Sequence, residues 1–477
     1  MQKNYKYLIK NVGILAIGNF TTKLLSLFLI PLYTAVLSTT EYGEYDLLNT
    51  TIGLLVPVFT LNIFEGIFRY ALDKDIDKGN LLGIAFKYFF LSFIPLGVLI
   101  VINSIFDWIP TFNNYVLFFI LMYAFNALSA ILVSVAKGLE NLKIVAFSGV
   151  ISSLVIIVSN ILFLLVFKFG LTGYFVANIL GTAIQCLCIL IGVRLWKYNS
   201  KVFCRNNSRK ELEKKVITYS KPLIANSIGW WINNVSDRFI VTFFCGLSTN
   251  GIYSIAYKIP TFLNVIVSIF NQAWNLSAIK DFDSDDKDGF FSKTYSIYNC
   301  LMIFVCSMLI LGNKVLARVF YSNNFYIAWK YVPFLLIAFY FGALSGYIGA
   351  IFAAVNRTEI YAKSTVIGAI INTVLNLILV YFIGAMGAAI ATLISYFVVW
   401  LIRFYYMSKF IHIRINVKRD ILAYIIILVQ AVAMIVVENM LYMYLFQIIL
   451  FLVMILLYVK DMKNAFKVIV AKLRGKA

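Results

Sequence analysis

The chain has 477 residues, of which 62% are hydrophobic and only 13% are charged. A soluble domain is nearer half apolar and a quarter charged, so this composition excludes an ordinary soluble enzyme or binding domain. It predicts an all-α polytopic membrane protein. The formal net charge of +20 also occurs in nucleic-acid-binding proteins, but the position of the basic residues favours another explanation.

A membrane-spanning helix needs about 20 consecutive, mainly apolar residues. The sequence contains about fourteen such segments. They lie near residues 12–37, 47–70, 81–103, 115–135, 144–167, 171–195, 222–244, 251–276, 292–311, 331–355, 364–382, 387–407, 421–440 and 442–459.

The basic residues are unevenly distributed between the two ends of these segments. If the N-terminus is cytoplasmic, the cytoplasmic loops hold most of the lysines and arginines, and the opposite loops hold few. This is the positive-inside pattern, and it predicts that both termini are cytoplasmic. The net charge is therefore mainly a topology signal, with attraction to anionic lipid headgroups as a second effect. No nucleic-acid partner is expected.

The longest loop divides the predicted spans into six before it and eight after it. We predict two pseudo-symmetric six-helix lobes followed by two additional helices. The basic tail has apolar residues at helical spacing and is predicted to lie on the inner leaflet. The predicted segments are an N-terminal lobe at 1–195, a basic cytoplasmic linker at 196–221, a C-terminal lobe at 222–407, two additional transmembrane helices at 408–459 and an amphipathic cytoplasmic tail at 460–477.

A short motif occurs twice and supports this division. The chain reads LSTTEYGEY at residues 37–45, after span 1, and LSTNGIY at residues 247–253, after span 7. Each copy precedes a returning helix that carries a proline, Pro57 or Pro260, and a proline inside a helix permits bending. The agreement with the six-span break predicts parallel repeats, in which spans 1 and 2 correspond to spans 7 and 8.

Six ionisable residues lie well inside otherwise apolar segments, all on spans 1, 2, 7 and 8. A charge at the bilayer centre costs about 2.5–3.5 kcal/mol on insertion scales, so such residues face protein or water, pair with each other, or bind something. They are Lys23, Glu65, Arg69, Asp237, Arg238 and Lys258.

These charges predict a hydrated central cavity of mildly positive character, suited to a substrate with a phosphate or an acidic sugar. Asn19 lies four residues before Lys23, and Asn233 four before Asp237, so each pair shares a helix face. Glu65 and Asp237 are the candidates for taking up a coupling ion. The predicted substrate-binding residues are Lys23, Arg69, Arg238, Lys258, Asn19 and Asn233.

A purely structural interpretation of the same charges stays open. Glu65 with Arg69, and Asp237 with a neighbouring base, can form buried pairs that fix helix register. This does not account for Lys23, which has no carboxylate on its own helix. Charges near helix ends are expected to extend to the membrane surface. The tryptophans within the spans are expected to pack or contact lipid, with stacking of one of them on a sugar ring as the alternative. These residues are Lys87, Arg194, Arg403 and Glu438, with Trp230, Trp231 and Trp274.

Motifs of soluble enzymes are missing from the sequence. The single histidine, His412, lies in a loop, which excludes zinc sites of the HExxH type and Ser-His-Asp triads. No P-loop is present. An acidic loop with Asp281, Asp283, Asp285 and Asp286 is typical of a solvated loop more than of metal-dependent glycosyl transfer. We expect no catalytic residue, no metal site and no cofactor apart from a coupling H⁺ or Na⁺.

Several motifs resemble those of bacterial polysaccharide-repeat flippases of the multidrug/oligosaccharidyl-lipid/polysaccharide exporter superfamily. They are the opening NYKYLIKN at 4–11, GNF at 18–20, the LSTTEYGEY motif and GIY at 251–253. The resemblance implies two six-helix lobes around a central cavity lined by helices 1, 2, 7 and 8. It further implies that an undecaprenyl-diphosphate-linked oligosaccharide crosses from the inner to the outer leaflet by alternating access.

The resemblance also implies a setting for that activity. It implies a multi-pass protein of the bacterial cytoplasmic (inner) membrane, in contact with membrane lipids, that serves O-antigen, capsule or exopolysaccharide synthesis. A polysaccharide polymerase and a chain-length regulator are the implied protein partners. The alternatives are a multidrug cation antiporter of the same superfamily, a membrane-embedded polysaccharide polymerase or ligase, and a lipid II flippase.

Overall fold

The computed structural model describes residue 22 and residues 27–73, 75–197, 207–280, 282–355 and 357–473, with the backbone alone at 207, 272, 273, 276 and 463–473. Over these residues the secondary structure is helical, as predicted. The chain divides into two compact units, Met1–Ser236 and Asp237–Ala477, which we call the N-terminal unit and the C-terminal unit.

The N-terminal unit contains nine helices within its described residues and the first part of a tenth. Leu142–Asn160 continues through a π-helical segment, Ile161–Val166. The helices are α1 Ile30–Val36, α2 Thr39–Phe59, α3 Ile63–Ala71, α4 Lys78–Leu91, α5 Phe93–Phe106, α6 Pro110–Asn114, α7 Val116–Gly138, α8 Leu142–Asn160, α9 Gly170–Val193 and α10 Asn207–Ala256.

The C-terminal unit begins within α10, which contains a break at Gly246, where φ is 82° and ψ 168°. A 3-10 segment, Asn323–Lys330, precedes α14. The remaining helices are α11 Thr261–Lys280, α12 Phe290–Leu311, α13 Asn313–Phe320, α14 Val332–Ala354, α15 Thr358–Ile383, α16 Ala385–Met407, α17 Val417–Val436 and α18 Met440–Leu473.

Eleven helices in the described part of the chain are long and apolar enough to cross a membrane, or twelve if the bent pair α2–α3 is one span. These correspond to twelve of the fourteen predicted segments. Most of segment 12–37 lies outside the described residues. Segment 251–276 is broken near Pro260 into the end of α10 and a short apolar helix, Thr261–Asn271.

Both copies of the repeated motif begin a helix after a break. In the first copy, Ser38 and Glu41 form a capping box: the Ser38 hydroxyl accepts from the Glu41 N–H at 3.2 Å, and the Glu41 carboxylate accepts from the Ser38 N–H at 2.8 Å. This arrangement satisfies amide groups that a helix start otherwise leaves without partners. The second copy follows the break at Gly246.

The two basic segments are largely helical where the structure describes them. Residues 207–221 of the predicted linker belong to α10 and continue directly into the following span. Residues 460–473 of the predicted tail belong to α18, a single helix of 34 residues. At 1.5 Å per residue such a helix is about 51 Å long, so the tail extends the helix of the last span.

Candidate substrate site

A cavity of about 630 Å³ lies within the N-terminal unit, between α2, α3, α7 and the first part of α10. Its polar lining consists of three amides and one hydroxyl, and two indoles lie beside them. None of the described residues that line it is charged. The polar and aromatic lining residues are Asn49, Asn126, Asn226, Ser227, Trp230 and Trp231.

The two tryptophans of this cavity differ in their contacts. The indole N–H of Trp231 donates to the Thr50 carbonyl at 2.8 Å and so joins α10 to α2. Trp230 is 44% exposed and also lines the cavity. Packing is therefore not the whole role of these two tryptophans, because both also form part of the cavity wall. Trp274 does pack: it is 3% exposed and stacks on Tyr347 at 4.3 Å between ring centroids.

The amides of the cavity keep hydrogen-bonding capacity. The Asn126 side chain donates one bond, to the Met122 carbonyl at 2.8 Å. Asn49 and Asn226 are exposed, and the structure records no side-chain hydrogen bond for either. An asparagine amide offers two donors and an acceptor, so these side chains can bind hydroxyl groups.

The floor of the cavity includes the bend between α2 and α3. Pro57 lies in the last turn of α2, and the chain turns by 60° before α3. Leu61 and Asn62 have φ angles of 54° and 52°, and the Asn62 N–H donates to the Pro57 carbonyl at 2.6 Å. Pro57, which was expected to permit bending, thus lies a few residues before this bend.

Helix α3 carries two of the predicted site residues. Glu65 and Arg69 are both exposed, and no ion pair joins them in the described part of the chain. The opposite face packs tightly, since Ile63 and Ile67 are fully buried. Phe64 lines the cavity, whereas Glu65 and Arg69 do not belong to its lining.

A second group of predicted residues lies in the C-terminal unit around Asp237, which is only 3% exposed. Its carboxylate accepts hydrogen bonds from the Tyr253 hydroxyl at 2.8 Å, from the Tyr257 hydroxyl, and from the Arg238 N–H at 2.9 Å. The Arg238 guanidinium lies 5.1 Å from the centre of the Tyr257 ring. Lys258, half-buried, follows in the break between α10 and α11.

The structure therefore brings Asp237 and Arg238 together with two tyrosines that the sequence reasoning did not include. Tyr253 belongs to the repeated motif, and Tyr257 follows four residues later, just past the end of α10. This four-residue spacing was the sequence signal that could have identified the two tyrosines as neighbours. Asn233 is half-buried in α10. Lys23 and Asn19 lie outside the described residues.

The expectation for Arg403 is wrong. Its side chain is 4% exposed and does not extend to the membrane surface. It donates to Ser364 at 2.9 Å, to the Ser345 carbonyl at 3.0 Å and to Thr365 at 2.8 Å, and its guanidinium lies 3.9 Å from the Tyr361 ring centre. These acceptors on α14 and α15 satisfy the charge inside the protein.

Lys87 also has a protein partner. Its ammonium group lies 2.5 Å from the Glu213 carboxylate, which also accepts from the Tyr88 hydroxyl at 2.9 Å. The pair joins α4 to the start of α10. Because 126 residues separate Lys87 from Glu213, this contact could not be predicted from their spacing in the sequence.

The C-terminal unit contains a cavity of different chemistry. It measures about 720 Å³ and lies between α14, α16 and α17. Its walls are almost entirely apolar and aromatic, with Phe341, Phe397 and Trp400 among them, and Asp420 is the one charged residue of the described lining. Such a surface offers few hydrogen-bonding groups to a hydroxyl-rich ligand.

The acidic loop does not form a metal site within the part of the chain that the structure describes. Asp286 is buried and accepts from the N–H groups of Phe291 and Ser292, each at 2.9 Å, at the start of α12. Hydrogen bonds from the backbone N–H groups of Lys287 and Asp285 hold the pKa of the Asp283 carboxyl below its ordinary value. These carboxylates serve local structure.

Fold and site together define a helical membrane protein with a neutral polar cavity in one unit. The other unit holds a buried aspartate that is hydrogen-bonded to two tyrosines. A family model described as polysaccharide biosynthesis protein matches residues 8–275, more than half of the chain. The chain belongs to this family.

One curated relative is the probable low-salt glycan biosynthesis flippase Agl15 of Haloferax volcanii, 28% identical over 207 residues. The match covers 42% of this chain and 43% of the relative's length, so the chain spans less than half of that protein.

Solved structures of the MOP superfamily share the fold. The lipid II flippase MurJ in an inward closed conformation superposes with a TM-score of 0.67 at 15% identity, over 96% of this chain and 99% of that one. An inward-facing multidrug resistance MATE family transporter gives 0.64 at 15% identity, over 81% and 94%. A MOP superfamily transporter from Pyrococcus furiosus gives 0.55 at 14% identity, over 84% and 95%. The predicted resemblance is thereby confirmed at the level of family and fold.

Proposed function

We propose that this protein is a flippase that moves a lipid-linked oligosaccharide across the membrane for surface polysaccharide synthesis. The substrate would be an undecaprenyl-diphosphate-linked repeat unit, taken from the cytoplasmic leaflet to the outer leaflet by alternating access. The observation that carries the proposal is the neutral cavity of amides and indoles inside a membrane-embedded unit. Polar groups at membrane depth are expensive unless they have partners or a function.

The family and the named relative support the same class of activity. The family is one of polysaccharide biosynthesis, and the relative from Haloferax volcanii is named as a glycan biosynthesis flippase. A polymerase and a chain-length regulator would act on the translocated unit, and a bacterial inner membrane would be the site of action.

The diphosphate of such a substrate requires basic partners. Arginine binds phosphate through two parallel hydrogen bonds, and Arg69 is exposed on α3. Arg238 and Lys258 would supply further positive charge in the C-terminal unit, and Lys23 would do so on span 1. In this proposal each of these bases is a candidate partner of the diphosphate, and the glycan lies against neutral groups.

Asp237 is the proposed coupling residue. A buried carboxylate that accepts from two hydroxyl groups can take up a proton or coordinate a sodium ion, and either event neutralises its charge. Glu65, exposed on α3, is the second candidate. Collapse of the proton and sodium gradients in proteoliposomes should then stop uphill transport, and unchanged flipping would contradict the coupling.

A direct test reconstitutes the full chain into vesicles that hold a fluorescent undecaprenyl-diphosphate oligosaccharide. An impermeant reagent that modifies the sugar reports the fraction in the outer leaflet. We expect flipping by the wild-type protein and a large loss in an Arg69→Ala, Arg238→Ala double variant that still inserts normally. Export of cationic dyes without any glycan flipping would instead favour the multidrug antiporter.

A further inference from the structure

We infer that the cavity of the N-terminal unit is a binding subsite for one uncharged sugar ring, with Trp230 as its stacking surface. The inference rests on the proposed function and adds to it the chemical class of the sugar and the residues that recognise it. It concerns a different part of the molecule from the charged residues assigned to the diphosphate.

The first argument is the pair of indoles. One face of a pyranose ring presents C–H groups, and a flat, polarisable indole is a suitable partner for that face. Trp231 is fixed by its hydrogen bond to the Thr50 carbonyl, which also holds the adjacent part of α10 against α2. Trp230 is half-exposed beside it, so its surface is presented on a rigid support.

The second argument is the set of hydrogen-bonding groups around these indoles. Sugar hydroxyls both donate and accept, and side-chain amides do the same. Asn49, Asn126 and Asn226 come from three different helices and converge on the cavity. A site built to bind hydroxyls discriminates strongly against ligands that lack them, because its own polar groups are then left unpaired.

Gly53 adds a backbone acceptor to this set. It lines the cavity, and a Cβ placed there would meet no heavy atom within 4 Å. The residue four positions later is Pro57, which has no N–H to donate to the Gly53 carbonyl. Glycine is unfavourable inside a helix relative to alanine, although alanine would fit here. A ligand hydroxyl that donates to this carbonyl would explain why the position holds glycine, and why the residue four positions later can be a proline.

The third argument is charge. The described lining is neutral, and its volume of about 630 Å³ lies within the range of small-molecule sites, roughly 300–1,000 Å³. A uronic acid would bring a carboxylate against described lining residues that include no cation to compensate it, which is unfavourable. The cavity therefore favours a neutral hexose or N-acetylhexosamine.

The test compares three lipid probes that share one short polyprenyl diphosphate. The first carries no sugar, the second carries N-acetylglucosamine and the third carries glucuronic acid. Affinities are measured on the full chain in nanodiscs. We expect the N-acetylglucosamine probe to bind about tenfold more tightly than the bare lipid, and the glucuronic acid probe to gain little.

Two variants with matched controls locate this gain. Trp230→Ala should remove it and leave the bare lipid unaffected, whereas Trp196→Ala, an exposed tryptophan outside the cavity, should keep it. Gly53→Leu should fill the cavity and also remove the gain. Gly97→Leu should keep it, since a Cβ at Gly97 also meets nothing within 4 Å. Thermal unfolding of each variant confirms that it is folded.

The possible results separate the two proposals. A sugar gain that survives in folded Trp230→Ala and Gly53→Leu overturns the subsite, and the flippase proposal stands. A stronger gain with glucuronic acid than with N-acetylglucosamine overturns the assignment to an uncharged sugar. No binding of any diphosphate probe and no flipping overturn the proposed function itself.

Discussion

The N-terminal and C-terminal units use their polar residues in opposite ways. Of the described spans that lie wholly in the N-terminal unit, none is more than 33% buried over its most apolar window, whereas those of the C-terminal unit range from 17% to 78%. The N-terminal unit leaves amides open to a polar cavity. In the C-terminal unit the buried charges of Asp237 and Arg403 have hydrogen-bond partners inside the protein, and the cavity is almost entirely apolar. The open amides and the enclosed Asp237 carboxylate thus lie in different halves.

The repeated motif shows how one pattern yields these two outcomes. Aligning Gly43 with Gly251 pairs Tyr45 with Tyr253, and Asn49 with Tyr257, each 208 residues apart. Tyr45 packs on the Tyr174 ring at 4.0 Å between centroids, and Asn49 lines the neutral cavity. Their counterparts both donate to Asp237.

The carboxylate itself has an apolar counterpart. Aligning the leucines that open the two motifs, Leu37 and Leu247, pairs Leu27 with Asp237. Leu27 is 5% exposed, so both positions are buried.

The largest expected effect tests whether the stability of the C-terminal unit depends on its buried, hydrogen-bonded charges. Arg403→Met should lower the free energy of unfolding by about 3–5 kcal/mol, because it leaves buried acceptors on α14 and α15 without a donor. Arg194→Met, at an exposed helix end of the N-terminal unit, should change it by less than about 0.5 kcal/mol. Denaturant unfolding in detergent measures both. Equal effects would break the comparison.

The next prediction makes the two halves alike at one position. Asp237→Leu copies Leu27 and leaves the Tyr253 and Tyr257 hydroxyls without their shared acceptor. We expect a loss of about 2–4 kcal/mol in unfolding free energy together with loss of transport in vesicles. Asp285→Asn, in the exposed acidic loop, is the control. A stable, transporting Asp237→Leu protein would remove the carboxylate from any coupling role.

A smaller effect is expected where the N-terminal unit is packed tightly. A Cβ on Gly66 would lie 2.5 Å from the Ser220 hydroxyl oxygen and 2.9 Å from the Val216 carbonyl oxygen. Gly66→Val should therefore push α3 from the start of α10 at a cost of about 1–3 kcal/mol. Gly97→Val has open space and serves as the control. The midpoint of thermal unfolding reports the difference, and a variant as stable as the control would contradict this packing.

The smallest effect concerns the ion pair of the N-terminal unit. Lys87 is 39% exposed and Glu213 18% exposed as side chains, so their coupling should be only about 0.2–1 kcal/mol. A double-mutant cycle with Lys87→Ala and Glu213→Ala measures it. A coupling free energy above that range would show that the stability of the N-terminal unit also depends on polar contacts within the protein.

The sequence predicted what depends on local pattern. Runs of apolar residues located twelve of the spans, and Pro57 and Pro260, which were expected to permit bending, lie close to two of the breaks. The partners of Arg403 could not be predicted, because Ser345 and Ser364 are far from it in sequence and nothing in their spacing marks them. Packing or lipid contact was favoured for Trp230 for the same reason, since only the fold shows that three helices bring amides beside it.

The bend at residues 60–62 has a consequence for how the N-terminal unit responds to an occupant. Two successive non-glycine residues with positive φ make the bent backbone costly by about 1–2 kcal/mol each, so packing on α3 must hold it in place. Phe64, Glu65 and Arg69 belong to this one short helix. An occupant of the cavity that contacts Phe64 therefore contacts the same short helix that carries both charges.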